Sequence, residues 1–313
     1  MYIRNTYARH LAGGPRRLLA LFLATAAVVA VLVAAYGDSS ATAAARKTAT
    51  AAKASGDVDV ISAGSLQTLM SKIAPIFKSE TGYTLVDTSG SSGTDAADIK
   101  NKVDVEDVFV SASPSDDALL MGAKNGDWLS WYASFAASPE VLGYYPKSKF
   151  VHDLKTMPWY EVITMPGIRV GRTNPSQDPG GVLAKDALEE AAKEQPKYAT
   201  ALKKLATESS DEYVEDPEEA DIQNGQLDVA FMYEADANSQ NSPFVKLTGT
   251  NFAGDYTIAM VKNAPHTAAA EAFIKFLLGP KGQAEMKADD FEIVSPAKVT
   301  GSGVPSALSS ILK

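Results

Sequence analysis

The sequence of 313 residues is 45% hydrophobic and 21% charged, values typical of a globular protein with one or two domains. It contains no cysteine, which excludes disulfides, thiolate metal sites and a cysteine nucleophile. The formal net charge is −9 and no Lys/Arg block is interleaved with aromatic residues, so nucleic acid is not expected as a partner.

The first 45 residues predict an export signal. A basic segment ending in Arg16 and Arg17 precedes an apolar run from Leu18 to Ala35, and Ala41-Thr42-Ala43 offers a cleavage site. An uncleaved membrane anchor is the alternative, because the run is about long enough to span a thin bilayer. Residues 46–56 are rich in Ala, Thr and Lys and predict a linker. We therefore expect an exported protein, periplasmic or extracellular at the cell envelope.

Three strand–loop–helix units follow in direct succession. Their predicted strands are Val58–Ser62, Tyr83–Val86 and Asp107–Ser113, and the loops after them are rich in Ser and Gly. Such a succession indicates an α/β fold with a parallel sheet, in which ligands bind at the carboxyl ends of the strands. Hydroxyls in these loops are candidate ligand-binding groups; the candidates are Ser65, Ser91 and Ser92. A role as plain helix N-caps is the alternative for Ser65 and Ser92.

The second half of the chain continues to alternate strands and helices. Its predicted strands are Val141–Tyr145, Ile168–Gly171, Leu227–Tyr233 and Tyr256–Val261. Its predicted helices are Trp159–Ile163, a long helix from Pro179, a charged region to about Ser209, a short helix from Glu215 that ends at Asn224-Gly225, and Ala268–Leu278. The three tryptophans, Trp128, Trp131 and Trp159, are expected in the core.

The stretch from Asn174 to Gly181 predicts an anion site with an unusual neighbour. Asp178 stands at an N-cap position, Pro179 at the first helical position, and Gly180 and Gly181 offer bare backbone N–H groups. A carboxylate beside an anion site is unexpected, because it repels an ordinary oxyanion.

The ordered motifs resemble the periplasmic molybdate- and tungstate-binding proteins of ABC transporters, and most of all the tungstate/molybdate branch of the type II solute-binding proteins. The resemblance runs from about residue 57 to the C-terminus. It is carried by Ala63-Gly64-Ser65-Leu66, Ser89-Gly90-Ser91-Ser92, Asp107–Ala112, Trp159–Val162, Asn174–Gly181, Pro217–Asp221 and Asp228–Tyr233.

The resemblance implies two α/β lobes that close over an oxyanion in a cleft, joined by two crossing segments near Val141–Tyr145 and Tyr256–Val261. The first lobe would comprise 57–143 and 254–313, and the second 144–253. It also implies an exported binding protein rather than an enzyme. Such a protein would have no cofactor, would be a monomer, and would deliver tungstate or molybdate to a membrane permease.

The resemblance also assigns roles in the site. Asp178 and Glu219 match two carboxylates that contact the metal of the bound oxyanion. Hydroxyls matching Ser65, one of Ser91 or Ser92, and Tyr233 would donate to the oxo groups, together with backbone N–H groups near Gly180. Two departures exist. Val182-Leu183 stands where the family usually has Tyr-Arg, and the helix between Glu219 and Tyr233 is about one turn short.

Carboxylates suit this ligand because a molybdenum or tungsten centre can accept two further oxygen ligands, which sulfate and phosphate cannot. The alternative interpretations are structural: Asp178 as a mere N-cap, Glu219 as a first-turn acid and Tyr233 as a core aromatic.

Three alternative functions remain at this stage. The chain could bind another anion, such as sulfate, phosphate or a small organic acid. It could be a secreted serine hydrolase that uses Ser65 or Ser92 with His152 or His266, although no Gly-x-Ser-x-Gly motif is present. It could also be a tethered sensor or adhesion domain without a transport role.

Overall fold

The computed structural model describes residues 55–103, 106–208, 212–213 and 215–313, and for 215–219 it gives the course of the backbone alone. The predicted signal or anchor segment (1–45) and the predicted linker up to residue 54 lie outside the described residues. Among the helices that are described, none has the length and apolar composition needed to cross a bilayer.

Within the described residues, the strands are β1 (Asp57–Ala63), β2 (Thr84–Gly90), β3 (Val108–Ser111), β4 (Trp131–Tyr144), β5 (Val170–Thr173), β6 (Glu212–Tyr213), β7 (Val229–Tyr233), β8 (Phe244–Lys246), β9 (Ala253–Met260) and β10 (Glu292–Gly301). The helices are α1 (Gln67–Thr81), α2 (Ser92–Asn101), α3 (Pro114–Ala118), α4 (Val151–Thr156), α5 (Trp159–Val162), α6 (Pro179–Glu194), α7 (Ala199–Thr207), α8 (Glu215–Asn224), α9 (Glu234–Ser239), α10 (Thr267–Leu277) and α11 (Pro280–Ala288).

The predicted parallel sheet is confirmed in the first half of the chain. Strand β1 pairs in parallel with both β2 and β3, and β9 continues the sheet antiparallel to β3. The buried strand residues pack against helix α1, whose Leu69, Ile73 and Phe77 recur at helical spacing and are buried. The carboxyl ends of β1, β2 and β3 therefore meet at one edge, where the three Ser- and Gly-rich loops begin.

Strand β4 connects this sheet to a second one. Its residues 131–139 pair with β9 or β10, whereas residues 140–144 pair with β7 and β8. The change of partners falls between Pro139 and Glu140, two residues before the range that the sequence predicts for the crossing. Strand β9 begins beside this change of partners, because its first residue, Ala253, pairs with Pro139. In the second sheet β7 and β5 are parallel.

Each half has a core of its own, as two α/β lobes require. In the first core, Phe77 packs edge-on against Phe273, with ring centroids 5.6 Å apart. In the second, Trp159 packs in the same way against Phe231, at 6.0 Å. The prediction of core positions is confirmed for Trp131 and Trp159, while Trp128 is only partly buried.

Candidate functional site

The start of α2 contacts the loop before α6, so the two halves of the molecule meet across a cleft. The Gly93 amide donates a hydrogen bond to the Gln177 carbonyl at 2.9 Å. A cavity of about 170 Å³ lies beside this contact, with Asp116, Asp178 and Ala253 among its lining residues. This volume is several times the roughly 30 Å³ that one water occupies in the liquid, and of the predicted binding residues that are described only Asp178 lines the cavity.

Asp178 caps helix α6, as the sequence predicts. Its backbone is extended, with φ −130° and ψ 132°, Pro179 takes the first helical position, and the carboxylate accepts from the Gly181 amide at 3.3 Å. The Thr173 hydroxyl donates to the same oxygen at 2.6 Å. The side chain is buried, so the anchored carboxylate stands at the N-terminus of a 16-residue helix.

Burial raises the pKa of Asp178, but four donors oppose that rise. They are the hydroxyls of Thr173 and Ser91 and the backbone amides of Gly180 and Gly181. Of the two serines that the sequence leaves as alternatives, Ser91 is therefore the one next to Asp178. The Ser92 hydroxyl is fully buried and accepts a hydrogen bond from the Ala112 amide at 3.1 Å, which ties α2 to the end of β3.

Gly180 lies close to the side chains of Asp178, Thr173 and Tyr233. A Cβ atom there would stand 3.0 Å from Asp178 Oδ1 and 3.6 Å from the Tyr233 hydroxyl oxygen. These distances place Tyr233 at the start of α6, beside the capping carboxylate. Tyr233 is buried, and its ring meets the Tyr256 ring edge-on with centroids 5.6 Å apart.

Tyr256 connects Tyr233 to Ser65. Its hydroxyl shares a hydrogen bond with the Ser65 hydroxyl at 2.9 Å, and both residues are buried. The interpretation of Ser65 as a helix N-cap is wrong, because Ser65 lies inside a short 3₁₀ turn (Gly64–Leu66) before α1 and no side chain caps that turn. Sequence reasoning missed Tyr256 in the site, since a tyrosine in a buried strand pattern carries no signal of a polar contact.

Glu219 lies on helix α8, which the structure forms where the sequence predicts a short helix. Its side chain is outside the described part of the protein. The pairing of Glu219 with Asp178 therefore stays a prediction.

Three other carboxyl groups act electrostatically with Asp178, and the sequence does not single them out. They come from three elements: Asp95 from the first turn of α2, Asp116 from α3 and Glu140 from β4. In each case burial is the largest cause of a raised pKa, and the negative charge of Asp178 adds to it. The pKa of Asp95 rises to about 8 and that of Asp116 to about 6.

The described residues supply no basic group to this cluster. No cation is among the influences that shift the pKa of Asp95, Asp116, Glu140 or Asp178. Arg172 precedes Thr173 in sequence, but its guanidinium donates to Glu212 at 3.0 Å and to carbonyl oxygens at the end of α7. An anion at this site would therefore interact with hydroxyl groups, which donate hydrogen bonds, and with the partial positive charge at helix N-termini.

The serine hydrolase interpretation lacks its base. His266 Nδ1 lies 2.9 Å from Asp107 Oδ2 and 3.4 Å from Asp59 Oδ2, at the opposite end of the strands from Ser65. His152 is exposed on α4. In the described residues the hydroxyls of Ser65 and Ser92 contact Tyr256 and Ala112 instead.

Comparisons with known proteins bear on this site. The family described as "Bacterial extracellular solute-binding protein" matches residues 58–292. An uncharacterized solute-binding protein of Petrotoga mobilis is 26% identical, over 82% of this chain and 90% of that protein. The molybdate/tungstate-binding protein WtpA of Pyrococcus abyssi is 23% identical, over 81% of this chain and 89% of that protein.

Among solved structures, the periplasmic molybdate-binding protein of Azotobacter vinelandii superposes with a TM-score of 0.59 and 20% identity, covering 75% of this chain and 98% of that chain. At that identity the likeness shows the fold alone. It confirms the predicted type II periplasmic-binding-protein fold, with two α/β lobes and a cleft between them.

Proposed function

Because the chain belongs to the bacterial extracellular solute-binding proteins and is not an enzyme, we propose that it captures tungstate or molybdate. We further propose that it delivers this oxyanion to the membrane permease of an ABC transporter. The observation that carries the proposal is the position of Asp178, a buried carboxylate held at a helix N-terminus in the cleft. The relative of Pyrococcus abyssi named for molybdate and tungstate binding supports the choice of ligand.

A carboxylate at this position distinguishes among oxyanions. Sulfate and phosphate have no vacant coordination position, so Asp178 would only repel them at close range. A molybdenum or tungsten centre accepts additional hard oxygen ligands, so the same carboxylate contributes a bond to the metal. We propose Glu219 as the second such ligand, on the helix that starts near Pro217 in the same lobe.

The oxo groups would be met by hydroxyls and backbone amides. Tyr233 lies beside Gly180 and Asp178, and Ser91 lies beside the same carboxylate. Ser65 reaches the site through Tyr256. We propose Ser65, Ser91 and Tyr233, with the Gly180 amide, as the donors, whereas the buried contact of Ser92 with Ala112 supports a structural role for Ser92.

We propose that the two predicted lobes, 57–143 with 254–313 and 144–253, move against each other about β4 and the start of β9, with the boundary on β4 moved from residue 143 to Pro139 and Glu140. The change of sheet partners on β4 at Pro139 and Glu140 supports a hinge there. Ligand contacts to both lobes would favour the closed arrangement, in which Gly93 bonds to Gln177. A monomer, exported through the segment 1–45, is sufficient for this function.

Calorimetric titration of the purified protein with tungstate, molybdate, sulfate and phosphate tests the proposal. We expect tungstate or molybdate to bind at least about 100-fold more tightly than sulfate, a difference of about 2.7 kcal/mol. Sulfate binding as tight as tungstate binding would instead support the alternative of an ordinary anion-binding protein.

A further inference from the structure

Glu140 is a buried carboxyl group for which the structure provides no partner. It lies on β4 at the point where the strand passes from one lobe to the other, and it is 4% exposed. Among the described residues, neither carboxyl oxygen of Glu140 has a hydrogen-bond partner. A buried polar group in this state costs about 1–3 kcal/mol, and more when charged, so it calls for an explanation.

Glu140 lies next to the ligand-binding groups. It is directly opposite Tyr233 in the antiparallel pair of β4 and β7, so the two side chains share a face with Cβ atoms about 5 Å apart. The hydroxyl of Tyr233 in turn lies beside Gly180 and Asp178. The charge of Asp178 also contributes to the raised pKa of Glu140, after burial.

The surroundings of Glu140 favour its neutral form. Burial, and then the charge of Asp178, raise the pKa of Glu140 well above its usual range. On the neighbouring strands, Lys246 of β8 is bound to Glu234 at 3.1 Å, and Asp255 of β9 accepts from Ser134 at 3.1 Å. Tyr233 of β7 is the titratable group opposite it. Among the described side chains, therefore, none supplies a positive charge to an ionised Glu140.

Asp178 and Glu140 thus differ in the groups that surround them. Four hydrogen-bond donors oppose the burial that raises the pKa of Asp178, whereas among the described residues no donor reaches Glu140. Two carboxyl groups whose surroundings affect their pKa values differently can take different roles in one site. A neutral carboxyl has one O–H donor, and in the described structure that donor has no acceptor.

We propose that Glu140 is a ligand-binding residue of the cleft, and that its neutral carboxyl donates a hydrogen bond to an oxo group of the bound oxyanion. This inference rests on the proposed oxyanion-binding function. The ligand supplies the missing acceptor, and the proton on Glu140 removes one negative charge from the vicinity of a dianion. The site then binds its ligand with Glu140 protonated, so the affinity falls when that proton is lost.

Tungstate titrations of the wild type, Glu140→Gln and Glu140→Ala at pH 5.5 and pH 8 test this. Glutamine keeps the shape and a donor but cannot ionise, whereas alanine removes the donor. We expect Glu140→Ala to bind at least about tenfold more weakly at pH 5.5. We expect Glu140→Gln to stay within about threefold of the wild type at pH 5.5 and to lose less affinity than the wild type at pH 8. Asp95 and Asp116 titrate in both proteins, so the difference isolates Glu140.

Two results would overturn the inference while leaving the proposed function intact. Equal affinity of Glu140→Ala and the wild type at both pH values would make Glu140 a structural residue. Wild-type affinity that rises with pH, together with a loss in Glu140→Gln, would make Glu140 an ionised ligand of the metal. If Glu140→Ala does not fold, as judged by circular dichroism, the comparison of wild type and Glu140→Gln decides alone. Failure of the wild type to bind tungstate or molybdate would instead reject the proposed function, and the inference with it.

Discussion

Asp178 has a role in the helix, which the structure shows, and a proposed role toward the ligand. Its carboxylate caps α6 through Gly181 and also stands in the cleft. Asparagine caps helices about as well as aspartate, so Asp178→Asn removes the charge and largely keeps the cap.

We predict that Asp178→Asn weakens tungstate binding by about 10- to 100-fold, the equivalent of about 1.5–3 kcal/mol for one charged ligand. The midpoint of thermal unfolding should change little. Titration calorimetry and thermal denaturation measure the two effects. Unchanged affinity in a folded Asp178→Asn protein would leave the residue as a helix cap only.

Asp95 makes the stability of the free protein depend on pH. Burial raises its pKa from 3.8 to about 8, and one carboxyl oxygen has no hydrogen-bond partner. Between these two values the folded protein holds a proton that the unfolded chain releases. The contribution of Asp95 to the free energy of unfolding is therefore fully present below about pH 4. It declines as the pH rises toward 8, by up to about 1.4 kcal/mol per pH unit.

We predict that Asp95→Asn is more stable than the wild type at pH 8 and shows little difference at pH 4, because asparagine has no proton to lose. Chemical denaturation at the two pH values measures this. Asp186→Asn, which removes an exposed carboxylate from α6, is the matched control. A wild type as stable at pH 8 as Asp95→Asn would contradict the raised pKa.

At the level of elements, the contact of α2 with the loop before α6 depends on a glycine. A Cβ atom on Gly93 would lie 2.5 Å from the Gln177 carbonyl oxygen, so any side chain forces the two lobes apart. We predict that Gly93→Ala weakens tungstate binding by about tenfold or more. The exposed neighbour Thr94 provides the control, since Thr94→Ala changes the same helix without touching the other lobe. Equal titration curves for Gly93→Ala and Thr94→Ala would show that closure does not need this contact.

Elements with a strong local signal could be predicted from the sequence. The parallel strands before Ser-rich loops, and the Asp178-Pro179 start of α6, follow from short-range rules of alternation and capping. The first ten residues of β4 were missed, because Ala133, Ser134, Ala136 and Ala137 hide the alternation and Pro139 suggests a break. Strand β10 was missed as well.

Of the predicted site residues, Ser91 and Tyr233 lie beside Asp178, and the other carboxyl groups of the cluster come together through tertiary contacts. Asp95 fits any helix start and Glu140 fits any strand, so neither pattern indicates a buried carboxyl. Their proximity to Asp178 arises only when β4, α2 and α6 come together. The contact of Ser65 with Tyr256 joins residues 191 positions apart, a separation that local patterns do not encode.

At the scale of the whole molecule, the proposed function requires two lobes that close on the ligand about β4 and β9. We predict that tungstate lowers the radius of gyration measured by small-angle X-ray scattering, and that an equal concentration of sulfate does not. Gly93→Ala should retain the larger radius in both conditions. A radius that tungstate leaves unchanged in the wild type, at saturating concentration, would show that binding does not close the cleft.

We propose that carboxylates enter the coordination sphere of the bound metal. X-ray absorption at the tungsten edge of the tungstate complex tests it most directly, because it counts the oxygen ligands and measures their distances. We expect six oxygens, four at short oxo distances and two at longer distances, with one of the longer set lost in Asp178→Asn. Four equivalent short oxygens in the wild-type complex, as in free tungstate, would contradict it.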